Sequence, residues 1–132
     1  DLINDGRVSI IGPIRQELLS GISNIGQFNK LRETLSSFED IPLKTEYFVK
    51  AAEFSNLCRN KGIQGATTGF LVCAVAHLEN LIIFTTDNDF ENYKKHCCPN
   101  CVSLRANFCE RSNLLDDKKI ASVASLPRND TL

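Results

Sequence analysis

The spacing of hydrophobic positions changes along the chain, and each change marks a new element. Val8-Ser9-Ile10-Ile11 is a short β-branched run between Arg7 and Gly12-Pro13, the pattern of a buried strand that ends at a turn. Pro13 suits the first turn of a helix, where its missing N–H would have had no partner. Ile14, Leu18 and Ile22 then recur at helical spacing up to a break around residues 21–24. A second amphipathic stripe, Ile25, Phe28, Leu31, Leu35 and Phe38, has Lys30, Arg32 and Glu33 on its other face, and Pro42 closes that unit. Thr45 is placed to cap a third helix, with Phe48, Ala52, Ser55 and Leu57 as its apolar face and Lys61-Gly62 as its stop.

After a Gly65-Ala66 turn, Thr67 or Thr68 is placed to cap a helix that is apolar nearly all round, Phe70-Leu71-Val72-Cys73-Ala74-Val75-Ala76, and so buried. Leu81-Ile82-Ile83-Phe84-Thr85 reads as a fully buried strand, with Asp87, Asn88 and Asp89 at its carboxyl end and a short helix from Phe90 through Tyr93 to Lys95. From His96 onward the periodicity dissolves and no element is assigned. The ordered part therefore runs β-α-α-α-α-β-α. Strands separated by helical crossovers predict a parallel sheet and an α/β fold. The opening Asp1-Leu2-Ile3-Asn4-Asp5-Gly6 reads like a helix end closing on a glycine, which leads us to expect that something precedes it.

Length and composition fit one domain: 132 residues at 42% hydrophobic content can bury a single core. A formal charge of −1 gives no overall pull toward a polyanion, so contact with nucleic acid depends on a local patch. No stretch approaches the roughly 20 apolar residues of a membrane helix and no signal-peptide pattern is present, so a cytoplasmic protein is expected. In that compartment the six cysteines, Cys58, Cys73, Cys97, Cys98, Cys101 and Cys109, are expected as reduced thiols. Cys98-x-x-Cys101 has the spacing of half a zinc knuckle, with Cys97, Cys109 or His96 as further ligands, but the second half is poorly formed. The expected division is a domain over residues 1–95 and a cysteine-containing tail over 96–132.

In an open α/β sheet, sites form beyond the carboxyl ends of strands, which singles out Glu17 after the first strand and Asp87 and Asp89 after the second. Converging carboxylates stay ionised when a cation offsets their repulsion, and an all-oxygen set suits Mg²⁺ or Mn²⁺. The structural alternative is that Glu17 is a solvated helix residue while Asp87 and Asp89 cap the helix starting near Asn88, where its positive end favours them. His77, on the apolar helix, reads as a packed or surface histidine. Arg15, Arg59, Lys61, Lys94 and Lys95 could touch phosphate, but scattered as they are they read as a solvated basic face.

Three segments carry a family resemblance. Ile10-Ile11-Gly12-Pro13-Ile14-Arg15-Gln16-Glu17-Leu18-Leu19-Ser20-Gly21-Ile22 is similar to the Q-E-L-L-x-G segment of PIN-domain ribonucleases of the VapC toxin type. The run Gly65-Ala66-Thr67-Thr68-Gly69-Phe70-Leu71-Val72-Cys73-Ala74-Val75-Ala76 resembles that family's helix opening with T-D-F-L-I. Thr85-Thr86-Asp87-Asn88-Asp89-Phe90 is similar to its T-x-D-x-D-F motif, and the three arrive in the family's order over residues 1–95.

The resemblance implies a PIN-like, Rossmann-like three-layer fold with helices flanking a parallel sheet. It also implies a Mg²⁺-dependent endoribonuclease whose metal is held by Glu17, Asp87 and Asp89. It further implies an RNA substrate, a homodimer, and silencing by a cognate antitoxin. Two departures accompany it: Gly69 stands where the family has its third acid, and the family's central, aspartate-bearing first strand would lie upstream of Asp1. These departures keep a second reading open, an inactive PIN-like remnant that binds an antitoxin or a dimer partner.

Overall fold

The computed structural model describes residues 8–85, 87–97, 103–104 and 120–122, the last two stretches as backbone. Strand β1 (Val8–Ile10) runs into helix α1 (Gly12–Leu19) with only Ile11 between them. Ile11 is extended, and its carbonyl accepts the N–H groups of Ile14 and Arg15 at 3.0 and 3.2 Å. Pro13 lies in the first turn as expected, and Ile14 and Leu18 are the residues α1 buries. Gly21, at φ +87°, turns the chain away.

Helix α2 (Ile25–Leu35) is capped by Asn24, whose side chain accepts the Gln27 N–H at 3.0 Å. Of its predicted stripe, Leu35 is buried and Phe28 and Leu31 are half-buried, but Ile25 is 72% exposed because it opens the first turn beyond the core. Strand β2 (Glu39–Asp40) follows, an element the hydrophobic pattern does not predict. Both its side chains are exposed and charged, which suits a short strand at the edge of a sheet.

Helix α3 (Thr45–Asn60) buries Tyr47, Ala51, Phe54 and Cys58. This corrects the expected face, since Phe48 and Leu57 are 51% and 47% exposed. The observed set repeats at steps of four, three and four residues, a continuous helical stripe, whereas the expected set breaks step at Leu57. Gly62, at φ +74°, ends the helix where the Lys61-Gly62 stop is read.

Helix α4 (Thr67–Glu79) buries every residue from Phe70 to Ala76, as its unbroken apolar run requires. Its cap residue is Ala66 rather than a threonine, with no side-chain cap bond. It packs along α3, where the Tyr47 hydroxyl donates to the Glu79 carboxylate. Asn80, left-handed at φ 54°, closes it. Strand β3 (Ile82–Phe84), helix α5 (Asp89–His96) and strands β4 (Ser103–Leu104) and β5 (Ile120–Ser122) complete the order.

The sheet is parallel throughout, in the order β2-β1-β5-β3-β4. Strand β5 lies between β1 and β3, pairing Val8 with Ile120 on one side and Ile82 with Ile120 on the other. The resemblance puts a strand from upstream of residue 1 at the centre of the sheet; here β5 is central, so β1 and β3 each have a partner on their shared side. The α/β class and the parallel sheet agree with the sequence pattern. Strands β4 and β5, in a region where no element is assigned from sequence, are two and three residues long, below the length at which alternation registers.

A further correction concerns the thiols. Cys58 and Cys97 form a disulfide, their Cα atoms 5.6 Å apart, because the last turn of α3 and the end of α5 lie side by side. Both sulfurs are enclosed in the core. The Cys73 thiol, also buried, is pushed up to about 12 by burial. Among the described residues no helix is long and apolar enough to cross a membrane.

Candidate functional site

Glu17 lies on α1 one residue before buried Leu18 and is exposed, while Asp87 and Asp89 follow β3. Because β1 and β3 are parallel and both pair with β5, the segments bearing these acids leave the same edge of the sheet. Two strand spacings separate β1 from β3, about 10 Å.

The Asp87–Asp89 turn is built by its own hydrogen bonds. Thr85 is buried, and its hydroxyl accepts the Asp87 N–H at 3.0 Å. The Asp87 carboxylate in turn accepts the Asp89 N–H at 2.9 Å, at the start of α5. Asp89 and Glu91 sit in the first turn of that helix, whose positive end favours them. This part of the structural alternative is therefore realised: Asp87 closes the entry to α5. Thr85 is a supporting residue legible in the Thr-x-Asp-x-Asp run, although sequence reasoning assigns it no role.

Tyr93 is the residue that sequence reasoning misses. Its ring is buried against Phe70 and Phe90, with centroids 4.8 and 5.4 Å away. Its hydroxyl reaches the entry of α4 beside Gly65 and Gly69. A Cβ on Gly65 would collide with that hydroxyl, and a Cβ on Gly69 would stand 3.3 Å from the ring and 3.5 Å from the hydroxyl oxygen. Burial pushes the Tyr93 phenol up to about 12, the negative charge of Asp89 adds to this, and a hydrogen bond with the Ala66 backbone acts in the opposite direction. Gly69, where the resemblance would put a third acid, thus faces Tyr93, and Tyr93 in turn lies within the field of the Asp87–Asp89 turn.

Carboxylate oxygens are the right donor type for Mg²⁺ or Mn²⁺. In number and placement they fall short: among the described residues no group of three or more His, Cys, Asp or Glu side chains is gathered closely enough to hold an ion. Asp87 and Asp89 share one turn, and Glu17 stands apart from them on α1. The acid set therefore does not fit a Mg²⁺ site as it stands. For zinc, Cys97 is committed to the disulfide, while Cys98, Cys101 and Cys109 lie outside the described residues.

His77 is half-buried and meets the Phe54 ring edge-on at 5.7 Å, in keeping with a packed histidine. Arg15 departs from the solvated role expected of it. Its guanidinium donates to the Leu35 and Phe38 carbonyls, each at 2.8 Å, and to both oxygens of Asp40, joining α1 to the end of α2 and to β2. No protein-family model matches the chain, and no curated protein sequence matches it. The likeness to PIN ribonucleases rests on the three segments themselves.

Proposed function

We propose that this chain is a PIN-type endoribonuclease of the VapC toxin kind, directed at RNA, paired with a second copy of itself and silenced by a cognate antitoxin. The observation that carries the reading is the placement of Glu17 and the Asp87–Asp89 turn beyond the carboxyl ends of two parallel strands that flank the same third strand. Sites of open α/β sheets form at that edge. The chain's own contribution is to orient acids there: Thr85 fixes the Asp87 backbone, Asp87 fixes Asp89, and Tyr93 seats α5 against α4. A Mg²⁺ or Mn²⁺ ion supplies charge neutralisation and an activated water in such enzymes. Among the described residues, Glu17, Asp87 and Asp89 are not gathered closely enough to hold one; in this reading they would do so only when drawn together and joined by further oxygen donors.

A second reading is favoured by Gly69, which brings a bare backbone and the Tyr93 phenol to the place of the third acid. In this reading the same domain binds an antitoxin or a second copy without cutting RNA. Incubating a mixed RNA pool with the chain, with and without Mg²⁺ and beside its Glu17→Gln variant, separates the two. Cleavage that needs both Mg²⁺ and Glu17 supports the nuclease. A folded chain that leaves RNA intact sinks it in favour of the binding module, and cleavage indifferent to Glu17→Gln removes the proposed site.

A further inference from the structure

The chain as a whole is nearly neutral, so any hold on RNA must be local, and the fold gathers one set of basic residues that the sequence scatters over 38 positions, from Arg59 to His96. The last turn of α3 carries Arg59 and is followed by Lys61; the last turn of α5 carries Lys94, Lys95 and His96. These two turns are fastened together twice, by the Cys58–Cys97 disulfide and by the Lys61 ammonium donating to the His96 carbonyl at 2.6 Å. Arg59, Lys61, Lys95 and His96 are exposed, and neither Arg59 nor Lys95 makes an ion pair with a described residue. Basic side chains at helix C-termini favour the helix dipole. That accounts for each turn separately and not for their being joined.

We infer that the joined ends of α3 and α5 form a docking ledge for the phosphate backbone of single-stranded RNA, an inference that rests on the RNA reading above. Helix α5 spans eight residues, about 12 Å, with the ledge at its C-terminal end and the Asp87–Asp89 turn at its start. A strand whose phosphates rest on the ledge can therefore extend along α5 toward the acids. Guanidinium and ammonium groups hold phosphate without reading sequence, so the ledge supplies affinity and placement, not base preference.

The test is fluorescence anisotropy of a labelled oligouridine with the full chain over a range of salt concentrations. The variants are Arg59→Glu/Lys95→Glu, its milder form Arg59→Gln/Lys95→Gln, and Lys30→Glu/Arg32→Glu on α2 as a control of equal charge change. We expect the first pair to weaken binding tenfold or more at low salt. Either ledge pair should flatten the slope of log affinity against log salt by about 1.4, the loss of two single-strand phosphate contacts. The α2 pair should lose far less. Wild-type affinity in both ledge variants, equal loss in the α2 control, or no binding by the wild-type chain would each overturn the ledge. Cleavage plays no part in the readout, so a chain that binds RNA through the ledge without cutting it defeats the nuclease reading and leaves this one standing.

Discussion

Reducing the Cys58–Cys97 bond should take a large part of the chain's stability with it. The bond joins residues 39 apart in sequence and so closes a 40-residue loop that the unfolded chain would otherwise explore freely. In the chain-entropy account, closing a loop of that length removes about 13 cal/mol/K from the unfolded ensemble, or about 4 kcal/mol at 25 °C. Domains of this size are stable by only about 5–15 kcal/mol, so the loss is not a minor one. In urea, with a slope of about 2 kcal/mol/M, the unfolding midpoint should fall by about 2 M on adding reductant. Cys97→Ala should show most of that fall without reductant, and reductant should then add little. Because α5 carries Asp89 and Tyr93, its amides should also lose protection from hydrogen exchange when the bond is reduced. An unreduced native chain whose midpoint is indifferent to reductant, with Cys58 and Cys97 both open to thiol reagents on unfolding, would refute the bond and the reasoning built on it.

Three further outcomes follow from single contacts. Arg15→Ala leaves two backbone carbonyls and Asp40 without their donor and should cost about 2–3 kcal/mol in urea unfolding; Arg15→Lys should not restore it, since an ammonium cannot span all three acceptors. Tyr93 and Tyr47 are both pushed up to about 12, Tyr93 first by burial and Tyr47 first by its hydrogen bond to Glu79. Their folded values lie above the unfolded value near 10. Their contribution is therefore complete below pH 10 and lost as the pH rises toward 12; a spectrophotometric titration showing both phenols ionising near 10 would contradict the packing. Gly65→Ala sets a methyl against the Tyr93 hydroxyl and the Phe70 ring and should cost about 1–3 kcal/mol, with Tyr93→Phe relieving part of it; a neutral effect would mean that Tyr93 is not seated at α4.

The elements legible from sequence are those whose signal is local. The β1–α1 junction is written in Ile10-Ile11-Gly12-Pro13, α4 in its unbroken apolar run, and the β3–α5 unit in a β-branched run followed by acids. What sequence leaves dark depends on partners distant along the chain. Glu39-Asp40 is a strand because Ile10 offers its carbonyl to the Ile41 N–H, not because of its own residues. The buried face of α3 is chosen between two overlapping stripes by what α4 presents to it. Cys58 and Cys97 meet only once α3 and α5 are docked. At the candidate site the same division holds. The positions of Glu17, Asp87 and Asp89 beyond strand ends are legible, but the Tyr93 phenol facing Gly69 while it feels the charges of Asp87 and Asp89 is a tertiary fact.

Gly69→Asp is the substitution that bears most directly on what the site can do. Position 69 is the third residue of α4, where a carboxylate gains from the helix N-terminus by about 0.3–1 kcal/mol and where exchanging glycine for aspartate adds about 0.3 kcal/mol of helix propensity. Against this, the new Cβ stands 3.3 Å from the Tyr93 ring, so that ring must give by a few tenths of an ångström. The new charge also joins those of Asp87 and Asp89, which already act on Tyr93. Without a cation the added repulsion should cancel the helix gains and leave the melting temperature near that of the wild type. With one, the crowding of negative charge becomes affinity, and a ligand present at a hundred times its dissociation constant stabilises the folded state by about 2.7 kcal/mol. Thermal unfolding at increasing Mg²⁺ or Mn²⁺ should therefore show a rise in melting temperature for Gly69→Asp that is absent or small in the wild type. Adding Glu17→Gln to Gly69→Asp should reduce that rise if Glu17 reaches the same ion. A variant that ignores both cations would mean that α4, α1 and the Asp87–Asp89 turn do not share a site, and the nuclease reading would lose its metal.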